Sequence, residues 1–254
     1  MQHFSKNFVR FLVCAALVGV PASVVGTEID QAGKYRDCMA MAREHPKQGF
    51  EEAIAWRDLA GGDAAEHCAA VALIELGMHQ DAAQRLEALA QKPRNKLPMR
   101  ANLFGQAAQA WLLAGSPARA EATAMAGLRL TPGNPDLLID RAQARVAVGR
   151  HDEALADLND VIFADPRRPD AYVFRAAAKR FLNDRDGALK DVETALSFDP
   201  AHLDGLLERG ILRRLADDKA GARADWLRVL SLGPDSPAAI AARGNIEKMD
   251  VKAR

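Results

Sequence analysis

Between residues 101 and 236 the apolar and small side chains fall on a frame that repeats every 34 residues. Large residues hold its position 4 (Phe104, Leu138, Tyr172, Leu206) and small ones its position 8 (Ala108, Ala142, Ala176, Gly210). Alanine holds position 20 (Ala120, Ala154, Ala188, Ala222) and proline position 32 (Pro132, Pro166, Pro200, Pro234). Position 24 is apolar in three units (Leu158, Val192, Trp226) and Ala124 in the other. A period of this length with small residues at two fixed places predicts two helices per unit, stacked as a solenoid. Small residues let the helices cross at close approach, and the proline stops the helix before it. Turns inside the units are expected around Gly115, Gly149, Asn183-Asp184 and Asp217-Asp218.

Four regular units follow from this frame: 101–134, 135–168, 169–202 and 203–236. Residues 63–96 make a fifth, with Ala70 and Ala82 at positions 8 and 20. Leu97 to Arg100 is an excess before the register resumes, so the stretch KPRNKLP is expected to be a bulged loop, a basic connector that could also be a contact site. Residues 27–62 form a polar lead and a shortened N-terminal unit, with helices over 35–44 and 48–59 parted at His45-Pro46. Gly61-Gly62 suits a left-handed helix end and Asp63 the N-cap of the next helix. Residues 237–254 hold a last amphipathic helix, with Ala239, Ile240, Ile246 and Met249 on its apolar side. It is expected to cap the array rather than fold into the groove as an inhibitor.

The first 26 residues resemble a targeting segment. Lys6 and Arg10 precede an apolar run from Phe11 to Val20, and Ala22 and Gly26 each suit a cleavage site, which implies export. The run is short for a membrane span; an uncleaved anchor is the alternative. Cys14 lies inside the run and is expected to leave with it.

The segment from Asp170 to Pro200, DAYVFRAAAKRFLNDRDGALKDVETALSFDP, resembles the tetratricopeptide repeat (TPR) consensus, and the match recurs in register four times. The resemblance implies an all-α, right-handed α-solenoid. Position 11, often aromatic in that family, is Trp111 and then Arg145, Lys179 and Arg213. Ligands of the family usually lie on the concave face of the first helices. Carried to this chain, that groove would comprise Gln109, Ile139, Gln143, Val173, Ala177, Arg180, Leu207, Ile211 and Arg214. It is apolar and amide-lined, with Arg180 and Arg214 toward one end, and suits a peptide with apolar anchors and an acidic residue. Some of its apolar members could instead pack between repeats. The lysine and asparagine set with which some members grip a terminal carboxylate is lacking.

The formal net charge is zero, so nothing argues for nucleic acid or an anionic membrane surface. Two cysteines remain after the leader, Cys38 and Cys68, on first helices of adjoining units. Such helices lie side by side in these arrays, so a disulfide is the leading expectation, beside two buried thiols or a metal or redox site. No paired zinc-ligand spacing, nucleophile elbow or phosphate loop is present. His79 and His151 read as solvated residues near turns. Asp136, Asp170 and Asp204 at position 2, with Arg141, Arg175 and Arg209 at position 7, read as helix capping and pairing between repeats. The expectation is a non-enzymatic protein-interaction module in the periplasm, without cofactor, binding a peptide or protein partner. The alternatives are a self-associating structural protein of the cell envelope, or a metal- or redox-active one using Cys38 and Cys68.

Overall fold

A computed structural model describes residues 30–251; the targeting segment and its cleavage sites lie outside the described residues. Thirteen α-helices follow one another among the described residues: α1 Gln31–Glu44, α2 Pro46–Trp56, α3 Gly62–Glu75, α4 His79–Gln91, α5 Leu97–Leu113, α6 Pro117–Leu130, α7 Pro135–Ala147, α8 His151–Ala164, α9 Pro169–Phe181, α10 Arg185–Phe198, α11 Leu203–Leu215, α12 Lys219–Leu232 and α13 Pro237–Val251. Each helix packs against the next in sequence, and contacts beyond that reach one helix further. The architecture is an all-α solenoid of helix–turn–helix units.

The turn inside each hairpin has one conformational requirement. Position 15 is left-handed in all five units from residue 63 onward, at Gly77 (φ 74°), Gly115 (68°), Gly149 (81°), Asn183 (64°) and Asp217 (63°). Glycine meets no Cβ clash there, and Asn and Asp are the side chains that tolerate the region best. Where Asn and Asp replace glycine, the following Asp184 and Asp218 cap α10 and α12 by accepting from the Gly187 and Gly221 amides at 3.0 and 2.8 Å.

Inside the hairpins, the largest residue at position 24 stands in the unit with the smallest at position 8. Three units pair Ala108 with Ala124, Ala142 with Leu158, and Ala176 with Val192, all fully buried. The fourth places Gly210 against Trp226, whose indole Nε1 donates to Leu207 O at 3.2 Å. A Cβ on Gly210 would lie 2.3 Å from that Nε1 and 2.9 Å from the indole Cε2. Gly210→Ala is therefore expected to cost about 1–3 kcal/mol through overpacking. Trp226→Leu in the same chain should return part of it; urea unfolding of the two single variants and the double variant checks this, and additive losses would count against the pairing.

Four sequence-based expectations are corrected. Leu97 to Arg100 do not bulge: they are the first turn of α5, which reaches 17 residues. Four residues nearly complete one helical turn of 3.6, so the insertion lengthens the helix without rotating its apolar face. The remaining basic connector is spent internally. Lys92 Nζ and Arg94 Nη2 lie 2.6 and 2.5 Å from Asp63 Oδ1, and Asn95 Nδ2 donates to Oδ2 at 3.2 Å. Asp63 is thus an anchor for the connector and not the cap of α3. Burial works to raise the Asp63 carboxyl, but Arg94, Lys92 and Asn95 hold it down at about 2. The helix end before α3 is left-handed at Ala60 (φ 71°) and Gly62 (φ 54°), while Gly61 is right-handed and buried. In α13, Ala238, Ala239 and Ala242 are buried, with Ile246 and Met249 against the same core, but Ile240 points to solvent. α13 packs on α11 and α12, as a cap does.

Candidate functional site

The first helices of successive hairpins touch one another: α5 with α7, α7 with α9, α9 with α11. The second helices have no comparable contacts among themselves. The first helices α5, α7, α9 and α11 therefore form one continuous row. Between α3 and α5 this row parts.

Beneath that row each of three hairpins is locked by a buried carboxylate at position 23. Arg141 grips Asp157 with two bonds of 2.9 and 2.6 Å, and Arg145 adds a third at 2.7 Å. Arg175 does the same to Asp191 at 2.8 and 2.7 Å, with Lys179 at 2.8 Å. Arg209 holds Asp225 at 3.0 and 2.6 Å, with Arg213 at 2.8 Å. The position 7 arginines thus form their ion pairs within their own repeat and not with the position 2 aspartates; Arg175 also reaches the preceding repeat, its Nη1 donating to Asn159 Oδ1 at 2.8 Å. The same geometry explains the charged position 11. In unit 101–134, Ala107 and Thr123 replace the arginine and aspartate, and Trp111 returns at position 11, its Nε1 donating to Glu87 at 2.9 Å under the Arg119 guanidinium. The aromatic residue and the ion triad are alternative fillings of one space. The position 2 aspartates turn instead to the end of their own unit. Asp136 pairs with Arg168, and Asp170 lies 3.8 Å from His202 Nε2. The Asp170 carboxylate raises the His202 pKa, and His202 in turn holds that carboxyl down at about 2.

The nine residues expected to line the groove do not stand together as one surface. Ile139 and Val173 are buried, at 5% and 3% exposure. Leu207 and Ile211 pack partly against the core around Trp226. Ala177 and Gln143 are half-buried, and Gln109 and Arg214 are exposed. Arg180 is not free: its Nε donates to Glu208 Oε1 at 2.5 Å and its guanidinium lies 4.4 Å from the centre of the Phe181 ring. Of the two cations expected to meet an acidic partner residue, Arg214 alone makes no ion pair among the described residues.

Two features of this face escaped the sequence reading. The first is Asp140 on α7, 2% exposed. Gln109 Nε2 donates to its Oδ1 at 3.2 Å, while its Oδ2 is buried with no partner. Burial pushes its pKa up to about 7, Asp136 adds to the rise, and Gln109 and Arg168 oppose it. With the unfolded value near 3.8, Asp140 favours the folded state most below about pH 4, and that contribution fades as the pH rises through about 7. The second is a cavity of about 530 Å³ where α3 and α5 part, walled by Tyr35, His67, Met99, Leu103 and Gln106. His67 crosses it: Nδ1 meets the Tyr35 hydroxyl at 2.6 Å and Nε2 meets Gln106 Oε1 at 2.8 Å. Met99 belongs to the extra turn of α5, so the four-residue excess is the sequence signal for this cavity.

Cys38 and Cys68 are joined by a disulfide with their Cα atoms 6.1 Å apart, tying α1 to α3 beside this cavity. Among the described residues no cluster of three or more His, Cys, Asp and Glu side chains could hold a metal ion. His79 and His151 are half-buried rather than freely solvated: each has a buried Nδ1, and His151 stacks on Phe181 with ring centres 4.8 Å apart. No helix among the described residues is long and apolar enough to cross a membrane.

No family model and no curated protein matches this chain. Solved structures do. TTC0263, a thermophilic TPR protein of Thermus thermophilus, is 18% identical with a TM-score of 0.62, over 73% of this chain and 99% of that one. MamA from Desulfovibrio magneticus, residues 41 to its end, is 18% identical with a TM-score of 0.50, over 82% of this chain and 98% of that one. With a 34-residue frame, small residues at positions 8 and 20 and stacked helical hairpins already in place, these likenesses give the chain the tetratricopeptide-repeat fold.

Proposed function

We propose that this chain is a non-enzymatic protein-interaction module that holds a peptide or protein segment along the inner face of its first helices. The observation that carries this reading is the unbroken row α5, α7, α9 and α11, stiffened from below by the Asp157, Asp191 and Asp225 ion triads. A surface fixed before binding loses little ordering entropy when a partner arrives. Its exposed and half-buried side chains are amides, small apolar groups and the unpaired Arg214, which suit a segment with mixed apolar and polar anchors. A periplasmic setting is supported by the charged-then-apolar N-terminal residues and by the Cys38–Cys68 disulfide.

The test is affinity capture from a cell-envelope extract, with the Gln143→Glu/Arg214→Glu double variant as control. These two side chains can change without disturbing buried packing, unlike Val173 or the paired Arg180. A partner retained by the wild type and lost by the variant is the expected result; equal capture would move the binding face elsewhere. A self-associating structural role has one observation in its favour, the 91% exposure of Phe163 on α8. Light scattering showing a stable oligomer that Phe163→Ser dissociates would establish that role instead.

A further inference from the structure

Successive first helices present the same joint three times, and the three joints are filled differently. The joint brings position 6 of one first helix under positions 9 and 12 of the helix before it. Between α9 and α11 it holds Glu208, with Arg180 at position 12 lying over it and supplying two bonds, at 2.5 and 3.2 Å. Between α7 and α9 it holds Phe174 with Val146 at position 12, an apolar filling. Between α5 and α7 it holds the carboxylate Asp140, but position 12 is Leu112. A carboxylate is present without the cation that its sister joint provides.

The surroundings of Asp140 do not make up the shortfall. Its Oδ2 is buried without a hydrogen bond. Gly105 of α5 brings bare backbone close on that side, where even a Cβ would crowd Oδ2 at 3.3 Å, so α5 supplies no side-chain donor there. Arg168, the cation that opposes the rise in its pKa, is committed to Asp136 and lies 3.5 Å from Asp170. The one bond Asp140 accepts comes from Gln109, a side chain exposed on the inner face. The amide offers Asp140 a single N–H and no countercharge, whereas a guanidinium offers two parallel N–H donors and a full positive charge. A guanidinium coming from solvent over Gln109 would displace one amide bond and gain two bonds from a cation.

We propose that Asp140, roofed by Gln109, is the anchor for an arginine side chain of the partner segment, seated as Arg180 is seated on Glu208. This deepens the inner-face reading and rests on it. It also reverses the charge expected of the partner. Arg180, which an acidic residue would have sought, is already neutralised, while Asp140 is the buried charge still without a counter-ion.

The probe is the peptide acetyl-Leu-Ala-Arg-Ala-Leu-amide, compared with the same peptide carrying citrulline, which keeps the shape and loses the charge. Binding to the whole chain is read at pH 7.5 by calorimetry, and the Asp140 carboxyl carbon is followed by NMR. The arginine peptide should bind at least about tenfold more tightly than the citrulline peptide, a preference of about 1.4 kcal/mol. It should also shift the Asp140 signal toward the ionised form. Asp140→Asn should erase the preference. Gln109→Arg should erase it too, by seating the chain's own guanidinium on Asp140; circular dichroism verifies that both variants fold. Equal affinity for the two peptides, no binding of either, or a preference that survives in Asp140→Asn would each overturn the anchor. If the anchor fails while Gln143→Glu/Arg214→Glu still abolishes capture from the extract, the inner-face reading stands without it; if both fail, the face itself is wrong.

Discussion

Asp191→Ala is expected to cost about 3 kcal/mol of stability, the lower end of the range for breaking a buried ion pair. Asp191 is 5% exposed at its side chain and takes two bonds from Arg175 and one from Lys179. Its loss leaves two like charges one turn apart on α9, both turned toward α10 without a counter-ion there. Both retain some solvent access, at 18% and 22% exposure, which keeps the cost from climbing higher. The Arg175 guanidinium stays charged at any working pH even without its partner, so it cannot relieve the repulsion by losing its proton. Asp160→Ala on α8, an exposed carboxylate without an ion pair, should change stability by less than about 0.5 kcal/mol. Urea unfolding followed by circular dichroism compares the two; equal midpoints would show that the triad carries no net stability. A transplant gives a second check. Arg175→Ala, Lys179→Trp and Asp191→Thr together install the set found at Ala107, Trp111 and Thr123, and should recover much of what Asp191→Ala loses. It recovers less than all, because Glu87 and Arg119, which hold the Trp111 indole, have no counterparts placed around Lys179.

Removing the Cys38–Cys68 disulfide is expected to cost about 3–4 kcal/mol by chain entropy for a loop of 30 residues. The loss should be local. In a solenoid each hairpin contacts only its neighbours, so an end can open without the rest. The end it holds has a small core, built on Trp56 with Ala42, Ala53, Ala65 and Ala69 around the disulfide itself. The Cys38→Ser/Cys68→Ser variant should show faster amide hydrogen exchange through α1 and α2, with α7 to α12 unchanged. The Tyr35–His67 contact should be lost with them, since α1 is what brings Tyr35 to His67. Unchanged exchange in α1 would show that apolar packing alone suffices there; faster exchange along the whole array would show that the hairpins unfold together.

The ion triads show how far the linear pattern reached. Arg141, Arg175 and Arg209 stood out by their spacing, and so did the non-aromatic position 11. Asp157, Asp191 and Asp225 recur with the same period, sixteen residues on in the partner helix, and give way to Thr123 where Ala107 and Trp111 stand. That the three columns meet at one contact shows only once the hairpin is closed. The proposed inner face shows the same limit. The frame identified its helices, but the depth at which each side chain sits depends on the approach of the next helix, and that removed Ile139 and Val173 from the surface.

By itself the sequence determined the period, the two-helix unit, the turn positions and the small-residue crossings, because these follow from local backbone sterics and from side-chain size repeated in register. It also carried the pairing of Cys38 with Cys68, through their places on neighbouring first helices. The tertiary structure alone decided that the four-residue excess became a helical turn, that α3 and α5 part to leave a cavity, that Arg180 is neutralised by Glu208, and that Asp140 is buried without a cation. Those outcomes rest on distances between helices that share no local sequence. Burial and electrostatics are set by what arrives from elsewhere in the chain, and a one-dimensional pattern does not hold that information.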